Sequence, residues 1–94
     1  MQGDIIINQE HAEIIQQESR QQGMLAIWVV TWNTSDYPDR AVVRPQCVDG
    51  DGVHILNQVV VGESLDAVRD QLPEGLTRME RHPDDDSKII ETWI

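Results

Sequence analysis

The run of eight residues from Leu25 to Trp32, LAIWVVTW, constrains the fold of this chain more than any other stretch. It is the longest uninterrupted series of β-forming residues, and it carries two of the three tryptophans. Side chains alternate between the two faces of a strand, so Trp28 and Trp32 share a face, and both faces are apolar. Such a strand is typical of a sheet interior that is covered on both sides. We therefore predict a central strand with both faces buried.

Helix and strand signals in the rest of the 94-residue chain predict one α+β domain. Asn8 is a suitable N-cap for a helix over about residues 9–22 that Gly23 ends, and Ser64 is one for a helix over about residues 64–73. Apolar patterns predict further strands over residues 40–44, 53–61 with an interruption near Asn57, 76–81 and 88–94. The expected sheet is mainly antiparallel with four to five strands, and the helix after Ser64 packs on it.

Pro45, the second predicted helix and a glycine-rich turn indicate how the strands are connected. Pro45 has no N–H to give to a ladder, so the strand over residues 40–44 is expected to end there or to lie at a sheet edge. The second helix lies between two strands, so it can serve as a right-handed crossover that makes these two strands a parallel pair. Residues 49–52, DGDG, tolerate positive φ and predict a tight hairpin turn.

Residues 1–23 differ in composition from the rest of the chain. Their predicted helix is rich in Gln and Glu, and its only large apolar residues are two adjacent isoleucines, which give a narrow apolar stripe. We therefore divide the chain into an N-terminal extension, residues 1–23, and a single α+β domain, residues 24–94. Met24 directly precedes the strong strand, and the sequence leaves open whether Met1 or Met24 is the functional start.

Seventeen acidic and seven basic residues give the chain a formal net charge of −10. A field of this sign repels nucleic acid and anionic membranes, because binding to either requires a basic footprint. We therefore expect a protein partner with a basic surface, no direct binding of nucleic acid and no membrane association. The residues expected to contact the partner lie in the acidic C-terminal third and are Glu63, Asp66, Asp70, Glu74, Asp84, Asp85 and Asp86. Asp66, Asp70 and Glu74 recur every four residues, so they are expected to follow one side of the second helix and its end.

Cys47 is the only cysteine, so the chain cannot form an intramolecular disulfide, as is usual in the reducing cytoplasm. The N-terminus lacks a basic segment followed by an apolar one, and no apolar run is long enough to cross a bilayer. The sequence therefore predicts a cytoplasmic protein without a signal peptide or a membrane span. A chain of this size also gains core by pairing, so a homodimer through a sheet edge or the tryptophan face is a further expectation.

Three patterns contain reactive or metal-binding residue types, and each has a simpler explanation. Ser64 follows a strand and opens a helix, as in a nucleophile elbow, but Asp66 stands where that elbow needs a small residue. The acidic turns at residues 49–52 and 84–86 lack the alternating ligands and the closing Glu of a calcium loop. The residue types that zinc prefers occur without paired spacing, at Cys47, His54 and His82. We predict no catalytic residue, no metal site and no cofactor.

The segment from Gly62 to Val68, GESLDAV, joins a strand to a helix with an apolar and acidic opening. Together with the three strands before it, this segment resembles the antitoxin family of the HicB type. The resemblance implies a toxin-neutralising role, which suits an acidic protein, and it assigns no residue a role.

Three functional hypotheses follow. The first is a non-enzymatic, acidic protein-binding module of a bacterial or phage kind, an inhibitor or regulator that docks on the basic, nucleic-acid-binding surface of its partner. The second is a small enzyme or ligand-binding domain, with a pocket beside an aromatic contact face of Trp28 and Trp32 and with Cys47, His54 or His82 near it. The third is an antitoxin-like or homodimeric structural protein. The sequence favours a binding protein over an enzyme.

Overall fold

The computed structural model describes residues 3–94 as a seven-stranded mixed sheet with two helices. In chain order, the elements are β1 (Ile5–Ile6), α1 (Gln9–Gln21), β2 (Leu25–Trp32), β3 (Ala41–Asp49), β4 (Gly52–Ile55), β5 (Gln58–Gly62), α2 (Leu65–Arg69), β6 (Arg78–Glu80) and β7 (Ile89–Trp93). The strands lie in the order β1-β5-β3-β2-β7-β6, and β4 also pairs with β3. The α+β class is confirmed. The sheet is larger than the predicted four to five strands, because β1 joins it and the predicted third strand divides near Asn57.

β2 lies in the interior of the sheet, as predicted. It pairs antiparallel with β3 over all eight of its residues and with β7 on its other side. The single parallel pairing within residues 3–94 joins β1 to β5, with Ile5 opposite Gln58. α2 connects β5 to β6, which are not neighbours, so the predicted crossover between parallel strands is wrong. The chain instead passes over the sheet in α2 and forms the opposite edge with β6.

β3 continues through Pro45, although the sequence predicts an end or an edge there. Pro45 is opposite Trp28 of β2. On the other side of β3, pairing with β5 ends at Val43 and pairing with β4 begins at Gln46, so Pro45 lies in the gap between two partner strands. The missing N–H therefore costs no ladder bond on that side, and a proline is tolerated in an interior strand.

Both helices pack on the same face of the sheet. Trp28 and Val30 are completely buried beneath them, together with Ala12 of α1 and Val68 of α2. The opposite face carries no helix within the described residues, and Leu25 on that face is 51% exposed. Within a single chain, the predicted cover of both faces of β2 is therefore incomplete, since Leu25 is exposed and Ile27 and Val29 are half-buried.

Local signals set the ends of α1 where the sequence predicts them. The side chain of Asn8 accepts a hydrogen bond from the His11 N–H at 3.1 Å, which caps the first turn. Gly23 has a φ of +72°, and the Met24 N–H that follows donates to the Ser19 carbonyl at 2.8 Å. This Schellman arrangement satisfies the last carbonyls of the helix and favours a residue that adopts positive φ without strain.

The described part of the N-terminal extension contacts the domain that follows it. β1 extends the sheet beside β5, and Gln16 of α1 accepts a hydrogen bond from the Trp28 indole at 2.8 Å. α1 therefore covers core residues even though its own apolar stripe is narrow. The choice between Met1 and Met24 as the functional start stays a prediction, and Met1 lies outside the described residues.

α2 has five residues, fewer than predicted. Ser64 caps it as expected, since its Oγ accepts a hydrogen bond from the Ala67 N–H at 3.1 Å. Beyond the helix, the Leu72 N–H donates to the Arg69 carbonyl three residues back, so the chain continues in a narrower turn. The last hydrogen bond of the α type runs from the Asp70 N–H to the Asp66 carbonyl, so the helix ends before Pro73 is reached. Neither helix of residues 3–94 is long and apolar enough to cross a membrane.

Candidate functional site

A groove opens at the end of the sheet where β2 ends, between that strand, the start of α2 and β7. We call it the Trp32 groove; its volume is about 480 Å³, and it is lined by Trp32, Glu63, Ser64, Leu65, Asp66, Arg69 and Ile90. Trp32, Leu65 and Ile90 are packed against the core and form an apolar floor. Glu63 and Asp66 are exposed on the rim. The groove therefore combines an aromatic surface with acidic side chains.

A β-bulge in β7 places Ile90 in the groove. Val30 pairs with Glu91 and Thr31 pairs with Ile89, so Ile90 is an extra residue in the ladder between β2 and β7. In a regular strand, Ile90 and Glu91 would point to opposite faces. Here both lie on the helix-covered face, where Glu91 is buried and Ile90 packs against the core.

The close approach of α2 to β5 sets another wall of the groove. A Cβ atom on Gly62 would lie 3.0 Å from Val68 Cγ1 and 3.2 Å from Ala67 Cβ, which is tighter than ordinary packing. Glycine at this position thus lets the helix rest directly on the end of β5. Leu65 and Asp66, in the first turn of α2, are held at the groove as a result.

A buried ion cluster fixes the side chain of Arg69 beside the groove. Glu91 has no solvent exposure, and its carboxylate accepts hydrogen bonds from Arg69 at 2.7 and 2.8 Å, from Arg78 at 3.0 Å and from the Trp93 indole at 2.6 Å. The hydrogen bonds from Arg69 are the main cause that lowers the pKa of Glu91 to about 2, against the opposing effect of burial. The ionised carboxylate therefore balances the charge of Arg69.

Most of the acids expected at a partner interface lie at the same end of the sheet as the groove. Glu63 and Asp66 are on its rim, and the Asp66 side chain is 93% exposed. Residues 84–86 belong to the turn between β6 and β7. This turn reaches the same end of the sheet, because the Trp32 N–H donates to the Lys88 carbonyl at 3.0 Å.

The three loops at this end of the sheet concentrate negative charge. Residues 33–40, 63–69 and 80–88 hold eight acidic and four basic residues. Each of the four basic side chains donates a hydrogen bond to an acceptor within the protein. Because the acidic residues outnumber the basic ones by two to one, the net charge of these loops is negative.

Asp70 and Glu74 do not continue this group along a helix. α2 ends at Arg69, and the Glu74 N–H donates to the Glu13 carboxylate of α1 at 2.6 Å. The sequence predicts Asp66, Asp70 and Glu74 along one side of the second helix and its end, but α2 ends at Arg69, so Asp70 is its C-cap and Glu74 lies beyond it. Glu74 belongs to the surface beside α1 instead.

Of the two tryptophans predicted to form a contact face, only Trp32 has exposed surface. Trp28 is completely buried, and its indole N–H is occupied by Gln16 of α1. Trp32 is half-buried and lines the groove. Of the two tryptophans, Trp32 alone is therefore accessible from solvent.

A second cavity, of about 620 Å³, lies on the other side of the end of β2. Loop residues between β2 and β3 form much of its wall, and Asp86, Lys88 and Ile89 form the rest. Lys88 Nζ donates to the Asn33 carbonyl within this region, which joins the two loops. The cavity has no aromatic residue in its lining, so the Trp32 groove has the stronger features of a binding site.

The residues of catalytic or zinc-ligand type have separate partners. The β3–β4 hairpin places Cys47 opposite His54, but the thiol lies 3.0 Å from Ser19 Oγ, and His54 Nε2 lies 3.2 Å from Asp49 Oδ2. His82 is in the exposed turn before β7, at the end of the sheet away from Cys47 and His54. Within residues 3–94, no three His, Cys, Asp or Glu side chains are arranged to hold a metal ion.

Sequence reasoning overlooked Arg69, Ile90 and Glu91. A signal for Glu91 exists, because strand alternation puts it on the same face as Trp93, and a charged residue on a core face needs a partner. Ile90 has no such signal, since its bulge arises from the pairing of β7 with a strand far away in sequence.

Comparison with protein-family models found no family that matches the chain, and comparisons with curated proteins and with solved structures found no match either. We therefore interpret the Trp32 groove from its own chemistry. Its features are an apolar floor, an acidic rim and a buried ion cluster beside it.

Proposed function

We propose that the protein is a non-enzymatic protein-binding module that takes a basic segment of a partner protein into the Trp32 groove. The observation that carries this proposal is the pairing of an apolar floor, from Trp32, Leu65 and Ile90, with the acidic rim of Glu63 and Asp66. A segment that has an apolar side chain next to Lys or Arg matches both parts of the groove.

The apolar floor is expected to supply most of the binding energy. Tryptophan is among the residues enriched at binding hot spots, and its ring packs well against the aliphatic stem and the charged head of Lys or Arg. A groove of about 480 Å³ accommodates a few side chains rather than a folded domain. The partner is therefore expected to present an extended or protruding segment.

The acidic residues are expected to supply orientation and speed of association. Charges on an interface rim raise the association rate and make binding sensitive to salt. The net charge of −10 and the acidic loops around the groove attract basic surfaces over roughly one Debye length, about 8 Å at physiological salt. Nucleic-acid-binding proteins present basic surfaces of this kind to phosphate, so we propose that the module inhibits or regulates such a protein.

A pair of labelled peptides tests the proposal. One alternates Lys and Leu, and in the other Glu replaces each Lys. Fluorescence anisotropy should show binding of the basic peptide and no binding of the acidic one. The double variant Glu63→Gln/Asp66→Asn should weaken binding of the basic peptide by about three- to tenfold, because two rim charges are removed.

The matched control is the double variant Glu18→Gln/Asp51→Asn. It changes the net charge by the same amount, but these two exposed residues lie at the opposite end of the sheet, near the start of β2 and in the β3–β4 turn. Its affinity should stay within about twofold of the wild type, because charges beyond a Debye length are screened. Equal losses in the two variants, or binding of the acidic peptide, would contradict binding in the groove.

A further inference from the structure

The side of the sheet opposite the helices presents a continuous apolar surface. Strand register places Leu25 opposite Val48 and Val48 opposite Val53, so these side chains share this side. Val53 and Ile55 of β4 are 58% and 75% exposed. We call the bare part of this side the open face, and it consists of Leu25, Ile27, Val29, Gln46, Val48, Val53, Ile55, Met79 and Thr92.

The open face is free of charge although the chain has a net charge of −10. The single charged strand residue on this side, among the residues described, is Arg44. Its guanidinium Nη2 lies 3.0 Å from Asp4 Oδ2 and 3.2 Å from Asp36 Oδ2, so two carboxylates more than balance its charge, and this cluster lies outside the open face. A basic partner is therefore not drawn to this surface by charge, and a second acidic chain is not repelled from it by facing side chains.

The loop between β2 and β3 covers the other part of this side. The Tyr37 ring centroid lies 6.0 Å from the Arg44 guanidinium, and the Tyr37 hydroxyl donates to Asp4 at 3.0 Å. Val42 and Val59, which also point to this side, are buried. The chain thus covers one part of this side itself. On the open face, Leu25, Val53, Ile55 and Met79 are 47–75% exposed and the other five residues are half-buried, and an apolar patch of this kind is often a binding surface.

We propose that the open face binds the open face of a second copy of this chain in a twofold symmetric dimer. The open face crosses five neighbouring strands, from β4 through β3, β2 and β7 to β6, so at about 4.8 Å per strand and about four residues of length it measures roughly 24 by 13 Å. Because side chains project from this plane, the accessible surface is larger than the projected area, and two copies are expected to bury a total near the lower limit of about 1,000–1,200 Å² for a stable, specific interface.

A second copy is the occupant that the chemistry of the open face selects. A surface without charge recognises its partner by shape and apolar area, and two identical twisted sheets present the same surface to each other across a twofold axis. A chain of this size also gains stability from the added core. The Trp32 groove lies on the helix-covered side and stays accessible in such a dimer, so this inference does not depend on the proposed function.

Sedimentation velocity of the full chain over a range of concentrations tests the proposal. The wild type is expected to reach twice the chain mass of 10.7 kDa as concentration rises. The double variant Val53→Thr/Ile55→Thr keeps β-branched side chains at exposed strand positions, so the strand is retained. It should raise the dimer dissociation constant by at least about tenfold, because each lost apolar contact counts twice in a symmetric interface.

Ile14→Gln is the control, because Ile14 is also an exposed isoleucine but lies on α1, on the opposite side of the molecule. Its dissociation constant should stay within about twofold of the wild type, and circular dichroism should show the same fold for all three proteins. A wild type that stays monomeric at every concentration would overturn the proposal. So would a Val53→Thr/Ile55→Thr variant that dimerises like the wild type, or a dimer that Ile14→Gln dissociates.

Discussion

The guanidinium of Arg69 donates to both oxygens of the Glu91 carboxylate, from Nη2 to Oε1 at 2.7 Å and from Nε to Oε2 at 2.8 Å. Arg69 is the last residue of α2 and Glu91 lies in β7, so this pair joins the helix to a strand beyond β2 in the sheet. The same helix carries Leu65 and Asp66 to the Trp32 groove. The ion pair therefore supports the shape of the groove as well as the fold.

Glu91→Gln is expected to lower the free energy of unfolding by about 3 kcal/mol. Glutamine keeps the size of the side chain but removes its charge, so Arg69 and Arg78 lose their common counter-ion at a buried site. Urea denaturation followed by tryptophan fluorescence measures the change. A loss below about 1 kcal/mol would show that the cluster contributes no more than an ion pair at the surface.

Asp66→Asn is the matched control for that measurement, because Asp66 pairs with the same arginine. Its Oδ1 lies 3.3 Å from Arg69 Nη1, but the side chain is 93% exposed. Water screens such a pair, so we expect a change of less than about 0.5 kcal/mol. The difference between the two variants isolates the effect of burying the partner of Arg69.

The low pKa of Glu91 predicts how acid affects stability. The pKa is about 2 in the folded protein and near 4.5 for the ordinary side chain, so as the pH falls between these values the unfolded chain takes up the proton first. The stabilisation is thus fully present above about pH 5 and is lost progressively as the pH approaches about 2. Because Glu91→Gln lacks this proton uptake, its stability difference from the wild type should shrink over the same interval. Urea titrations at several pH values check this, and a constant difference from about pH 6 to about pH 3 would contradict it.

The parts of the fold that the sequence predicts well depend on neighbouring residues. The caps at Asn8 and Ser64 and the stop at Gly23 occur as expected, because each rests on hydrogen bonds or backbone angles within a few residues. Pairing between distant strands has no comparable signal. The passage of β3 through Pro45 depends on the break between β4 and β5, and the burial of one face of β2 depends on where both helices pack.

The candidate site, too, is predicted by the sequence only in part. Alternation correctly puts Trp28 and Trp32 on one face, but it does not show that α1 covers only the first of them, since this depends on where Gln16 lies over the sheet. Charge counting identifies the acids as a group. It does not show that α2 is too short to align them, or that the bulge at Ile90 completes the floor beside them.

The contact between α1 and β2 gives a prediction about the N-terminal segment. Gln16→Ala leaves the indole N–H of the completely buried Trp28 without its acceptor, so we expect a loss of about 1–3 kcal/mol in unfolding free energy. Gln17→Ala is the control, because Gln17 is the exposed neighbour on the same helix and should change stability by less than about 0.5 kcal/mol. Urea denaturation of both variants measures the difference. Similar values for the two would show that this hydrogen bond is not needed to hold α1 on the sheet.

Salt is expected to act in opposite directions on the two proposed surfaces. Binding of the Lys-Leu peptide at the Trp32 groove relies on attraction between opposite charges, so it should weaken about tenfold between low salt and about 0.5 M NaCl. Dimerisation brings together two chains that each carry a net charge of −10, and salt screens the repulsion between them. The dimer should therefore become more stable as salt rises, because the contacts across the uncharged open face do not depend on salt. Anisotropy titrations and sedimentation velocity in the same series of buffers measure both. A peptide affinity that is constant with salt would contradict the acidic rim, and a dimer that weakens as salt rises would place charged contacts at its interface and contradict the open face.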